Sequence, residues 1–167
     1  MNQLITIKKM LTNYLNESIE DYSKWKRNNV TYRGIKEFGK PNEVYGSLGN
    51  GLYTVPLSNK AMAKQYGDLY YVVNAKPTKP KIVNGLNNAE LLIQNLIDNF
   101  CKENGQGYSR SFFEQNTTIE KEMLKLGYNG IIIKGREMVN YEPINIKYFK
   151  TEKELLNYYD SIKNIES

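Results

Sequence analysis

A chain of 167 residues with no histidine and a single cysteine, Cys101, cannot build a histidine-based triad, a histidine proton shuttle, most zinc sites or an intrachain disulfide framework. Hydrophobic residues at 40% and charged residues at 25% are the proportions of one soluble globular domain. The net charge of +5 gives a mild bias toward anionic partners, mild because the basic residues are scattered rather than blocked.

Leu4, Ile7, Leu11, Tyr14, Leu15, Ile19, Tyr22 and Trp25 recur at three- and four-residue spacing. They form one apolar stripe on a helix from about residue 3 to 26, read as core packing or as a lid against a sheet. No small-residue cleavage site follows, and no run approaches the ~20 apolar residues of a membrane span. A cytoplasmic chain with no membrane partner is the expectation.

Val30-Thr31-Tyr32-Arg33-Gly34 reads as a short strand running into a glycine. Arg33 at its end can reach a phosphate or carboxylate through its planar fork, or pair with Glu37 as a solvated side chain. Gly46, Gly49 and Gly51 then crowd ahead of a strand, Leu52-Tyr53-Thr54-Val55, which Pro56 stops. Ser58 is expected to cap a helix over Asn59 to Tyr66, closed by Gly67. This order places two phenol rings, Tyr53 and Tyr66, around one cleft. The plainer reading is a flexible turn with two core tyrosines.

Leu69 to Val73 is nearly all apolar and reads as a central strand. An extended connector, Asn74 to Lys81, leads to a short strand at Ile82-Val83 that Asn84-Gly85 ends. Asn88 is expected to cap a helix from Ala89 to about Glu103, followed by a polar loop over Asn104 to Ser111. Thr118 to Leu126 is a helix ended by Gly127. Gly130 to Ile133 is a buried strand, Lys134-Gly135-Arg136 a hairpin turn, and Glu137 to Tyr141 the returning strand. Ile144 to Phe149 is the last strand, and Thr151 with Glu154 forms a capping box for a closing helix to about Asn164. Helices and strands are segregated rather than alternating, so the class is α+β with a mixed or antiparallel sheet. The chain divides into an N-terminal helix (1–28), a core (30–150) and a C-terminal helix (151–167) within a single domain.

Four pieces stand out in order. They are Tyr32-Arg33-Gly34, then Gly51-Leu52-Tyr53 with Ala63-Lys64-Gln65-Tyr66, then Leu126-Gly127-Tyr128-Asn129-Gly130 with its isoleucine run, then Glu137-Met138-Val139-Asn140-Tyr141-Glu142-Pro143 with Ile146-Lys147. Together they resemble the ADP-ribosyltransferase superfamily over residues 30–150. The likeness is to its poly(ADP-ribose) polymerase and diphtheria-toxin branch, and to compact domains of that type in phage and bacterial toxin proteins.

The resemblance implies a split mixed or antiparallel sheet core with flanking helices. It implies NAD as substrate, no metal, release of nicotinamide, and transfer of ADP-ribose to a macromolecular acceptor, protein rather than nucleic acid, in a phage effector or toxin-like role. Residue by residue, Glu137 matches the catalytic glutamate and Arg33 a basic residue holding the ribose or pyrophosphate. Gly34 would offer its backbone to the nicotinamide amide, and Tyr53 and Tyr66 would sandwich the ring. Tyr32, Gly51 and Thr54 flank them as binding positions. The chain departs from the branch in carrying Arg33 in place of histidine, Thr54 and Ser58 in place of a serine-threonine-serine strand, and Gly135 in place of a second carboxylate. The alternatives are the same scaffold without catalysis, as a binding or virion-associated protein, and a small basic module that stacks nucleic-acid bases on its tyrosines. Lys36 to Gly49 and Asn104 to Gln115 are the loops expected to choose the acceptor.

Overall fold

The N-terminal periodicity forms a 28-residue helix, α1 (Asn2–Asn29), in the computed structural model, which describes residues 2–36 and 45–166. The chain then runs β1 (Val30–Ile35), β2 (Tyr45–Gly46), β3 (Gly49–Asn50), β4 (Leu52–Thr54), α2 (Lys60–Lys64), β5 (Asp68–Val73) and β6 (Pro80–Val83). It continues as α3 (Gly85–Glu103), α4 (Arg110–Asn116), α5 (Ile119–Lys125), β7 (Gly130–Ile133), β8 (Glu137–Asn140), β9 (Lys147–Phe149) and α6 (Glu152–Glu166). The class is α+β. No helix of the described residues is long and apolar enough to cross a membrane.

Three strands pair antiparallel in the order β1-β5-β9, so Leu69 to Val73 is central as its apolar run predicts. Four more run β4-β8-β7-β6, antiparallel except for the parallel β6–β7 pair. One bridge joins the two sheets: Tyr32 and Val55 exchange both backbone bonds at 2.9 Å. Strand alternation then decides what each sheet covers. Val30, Tyr32, Tyr71 and Val73 face outward, toward α2, the end of α1 and α6. Leu52, Val72 and Ala75 close an inner core between the sheets, with Ile146 and Tyr148 packed on it. The largest core lies on the other side of the four-stranded sheet, where Ile97, Phe113 and Met123 of α3, α4 and α5 pack on Ile131, Ile133 and Val139.

Several local expectations give way to tertiary packing. The α1 stripe packs only in its last third, where Tyr22 and Trp25 stack with Tyr158 and Tyr159 of α6. Residues Leu4 to Ile19 of the stripe are exposed, neither core nor lid. Ser58 is not a cap. It lies in a 3-10 turn, Leu57–Asn59, and α2 is only five residues long. Helix α3 begins four residues before Ala89, with Asn84 at its N-cap, and Asn88 donates instead to the Asn84 carbonyl at 2.7 Å. The polar loop is shorter than read, because Ser109 accepts from the Phe112 amide and starts α4. The short β2–β3 hairpin inside the glycine-rich stretch is also unforeseen, since two-residue strands have no periodicity to read. Gly127, at φ +92°, ends α5 as expected, and Thr151 accepts from the Glu154 amide at 3.2 Å to start α6. Glu37 and most of the Lys36 to Gly49 loop lie outside the described residues.

Candidate functional site

The β4–β8 register pairs Leu52 with Asn140, Tyr53 with Val139 and Thr54 with Met138. One step further along, Val55 lies level with Glu137, and Val55 is itself bridged to Tyr32. The first residue of β8 is therefore delivered to the seam between the two sheets. At that seam is a cleft of about 420 Å³. Glu137, Tyr53 and Tyr32 line it together with Gly34, Tyr66 and Ala63; Gly46, Ser47 and Arg136 also border it, as do Arg33 and Thr54.

Each wall has a local cause. Helix α2 lies against β1 because Gly34 has no side chain: a Cβ there would stand 1.8 Å from the Ala63 carbonyl oxygen. Asn59 donates to the Arg136 carbonyl at 2.7 Å, tying the start of α2 to the β7–β8 turn. On the opposite wall the Tyr53 hydroxyl donates to the Gly49 carbonyl at 2.5 Å and accepts from the Leu48 amide at 3.1 Å. Glu120 accepts from the Asn50 amide at 3.0 Å, and the Tyr141 hydroxyl donates to the Leu48 carbonyl at 2.5 Å. The hairpin is thus held over the Tyr53 ring, so close that a Cβ on Gly46 would meet the ring at 2.2 Å. Burial pushes the Tyr53 hydroxyl above the ordinary phenol range, against the Leu48 amide and with Glu137 adding to the rise. Tyr66, on the facing wall, is 61% exposed.

Glu137 is half-buried, and among the described residues its carboxylate forms no hydrogen bond or ion pair. Burial raises its carboxyl above the usual value, and the neighbouring Arg136 guanidinium acts the other way. The Tyr32 ring lies beneath, 2% exposed and packed on Tyr71 at 5.3 Å between centroids, its hydroxyl pushed up to about 12 by burial.

The expected residues thus meet in one place, with three qualifications. Gly51 does not line the cleft. A Cβ there would stand 2.6 Å from the Asn140 carbonyl oxygen, so this glycine lets the chain entering β4 lie against β8. Arg33 borders the cleft, but alternation along β1 turns its side chain to the inner face with Thr31, away from Tyr32. There Nη1 donates to the Tyr53 carbonyl at 2.9 Å, and Nε is buried without an acceptor. Burial lowers its guanidinium and the nearby Tyr148 acts the other way. Arg33 ties β1 to β4 from beneath. Thr54, level with it, borders the cleft but is 2% exposed, its side chain on the same inner face.

The residue that sequence reasoning missed is Arg136, read there only as part of a turn. It is exposed, borders the cleft and adjoins Glu137, so it places a cation at the cleft mouth. Its adjacency to Glu137 in a three-residue turn was the available signal. Among the described residues no three His, Cys, Asp or Glu side chains lie close enough to hold a metal ion.

Neither a family model, a curated protein nor a solved structure matches the chain. The functional reading therefore rests on the cleft and on the ordered motifs.

Proposed function

We propose that this chain is an NAD-dependent ADP-ribosyltransferase with a split-sheet core, moving ADP-ribose from NAD to a macromolecular acceptor and releasing nicotinamide. The observation that carries the reading is the convergence of Gly34, Tyr53, Tyr66 and Glu137 on one cleft. A volume of about 420 Å³ falls in the range of small-molecule pockets, about 300–1,000 Å³, and suits the nicotinamide–ribose end of NAD.

The chemistry fits the side chains. Tyr53 and Tyr66 both line the cleft, and in this reading a planar cation lies between them. Each phenol face contributes roughly 0.5–2 kcal/mol to holding it. As the nicotinamide–ribose bond breaks, its electron pair leaves with the nicotinamide and positive charge grows at the anomeric carbon. The Glu137 carboxylate stabilises that charge. Arg136 at the mouth faces the pyrophosphate, a task that the inward turn of Arg33 leaves open. The nucleophile of the acceptor, proposed as a protein because the basic residues form no tract, completes the transfer. A phage effector or toxin-like role suits the reading.

One observation favours a catalytically silent, ligand-binding or virion-associated scaffold instead: burial favours the neutral form of Glu137, and Gly135 leaves it without a second carboxylate. Incubation with labelled NAD and a cell lysate separates the two. The enzyme releases nicotinamide and labels an acceptor, and Glu137→Ala abolishes both. Thermal protection by NAD with no nicotinamide released leaves only the scaffold.

A further inference from the structure

Arg33 Nε, Thr31 Oγ1 and Thr54 Oγ1 are buried on the inner face of the sheets with no hydrogen-bond partner among the described residues. Thr31 is 0% and Thr54 2% exposed. Thr31 and Arg33 stand two apart on β1 and so share one face. Val55 is bridged to Tyr32, so Thr54 comes level with Arg33 on the neighbouring strand. Side chains at opposed and diagonal positions of an antiparallel pair lie within ~8 Å of one another, a span that one small ligand between them bridges. The surroundings are apolar: Val72, the β5 partner of Thr31, and Leu52 are both 0% exposed in the same inner core.

The charge of this group is unmatched as well as its hydrogen bonds. Arg33 donates through Nη1 to the Tyr53 carbonyl, which is a dipole and not a charge. Among the described residues no carboxylate pairs with it. Burial pushes the nearby Tyr148 phenol up, against the pull of the Arg33 charge, so the phenol stays neutral and is no counter-ion. A buried carboxyl escapes such a mismatch by taking a proton, but a guanidinium keeps its own. Buried charges are paired, and this one calls for a negative partner. Water satisfies the hydrogen bonds of two hydroxyls and an N–H but leaves the charge standing. Size selects among anions. Thr31 does not line the cleft and Thr54 reaches it at only 2% exposure, so a single atom fits where a phosphate group does not.

We propose that Arg33, Thr31 and Thr54 hold a buried halide ion, chloride in solution, which completes the joint between β1 and β4. The inference is independent of the NAD reading.

Thermal unfolding of the full chain in sodium chloride and in sodium gluconate, each at about 0.15 M, tests it. Gluconate is too large for the site. The expected midpoint is about 2–4 °C higher in chloride, the shift of an ion that binds only the folded state. Bromide replaces chloride, and crystals grown in sodium bromide show anomalous density between Arg33 and the two threonines. Arg33→Met removes the chloride dependence. So does the pair Thr31→Val with Thr54→Val, which keeps the side-chain shape and reports even where Arg33→Met does not fold. Equal midpoints in the two salts, water at the site in place of bromide, or a chloride dependence that survives the threonine pair each overturns the proposal. Displacement of the bromide by NAD overturns it too, by assigning the guanidinium to the pyrophosphate.

Discussion

On the side of α3, α4 and α5, the four-stranded sheet is covered by Ile97, Phe113 and Met123, each at most 2% exposed, with two phenylalanine rings edge to face at 5.5 Å. At the cleft end of the molecule α2 has five residues and β2 and β3 two each, held by smaller apolar contacts: Ala63 packs with Tyr32 and Val55, and Leu48 of the hairpin reaches the main core. Close approach at Gly34 and Gly46 and single hydrogen bonds from Tyr53, Asn59 and Tyr141 add to these contacts. Burial of apolar area fixes where β8, and with it Glu137, must lie. The thin wall shapes what meets it. Substitutions under α3, α4 and α5 are therefore expected to act on stability first, and those at the exposed rim of the cleft on ligand binding first.

The largest effect is expected where only stability is at stake. Met123→Ala empties a fully buried position and costs about 2–5 kcal/mol, read as a lower denaturation midpoint with NAD affinity per folded molecule unchanged. A midpoint within experimental error of the wild type would remove the contrast at its core end.

Glu137→Gln is expected to lower nicotinamide release about 10²–10³-fold, the scale of removing one transition-state electrostatic partner. Its stability moves the other way. The carboxyl is raised in the folded state, so the stability it contributes is present below the ordinary carboxylate value and is lost as pH rises through the raised native value. Gln removes that loss, so the variant is as stable as wild type or more so at neutral pH. On the proposed function, nicotinamide release is expected to climb with pH over the same window, as the carboxylate forms. A Glu137→Gln protein destabilised at neutral pH would contradict the burial argument.

Gly34→Ala sharpens the comparison on the thin side. Its Cβ would occupy the space of the Ala63 carbonyl, so α2 must lift from β1 at about 1–3 kcal/mol, with NAD protection lost beyond that. Unaltered protection by NAD would show that α2 is no wall of the binding cleft. The smallest effect is expected at Tyr66→Ala: stability within about 0.5 kcal/mol, because the side chain is exposed, and NAD affinity lower by about 0.5–2 kcal/mol, read by calorimetry.

Much of this was legible along the chain. The isoleucine run and the Lys134-Gly135-Arg136 turn place Glu137 at the head of β8, and Gly127 and Thr118 bound α5. The direction of Arg33 was half legible: Tyr32 and Arg33 are adjacent on a strand and cannot both face one cleft. Nothing in the residues said which of the two would. Ser109 was a readable cap for α4, hidden because residues 104–111 look polar throughout.

The sequence by itself determined the periods, caps and turns, since these depend on neighbours a few residues away. Only the tertiary structure decided which faces are covered. The curl that brings Val55 onto Tyr32 makes one side of β1 a cleft floor and the other an interior, and the path of the sheet leaves most of α1 beyond its reach. Burial is a property of what lies opposite a side chain, and no stretch of chain contains its own opposite.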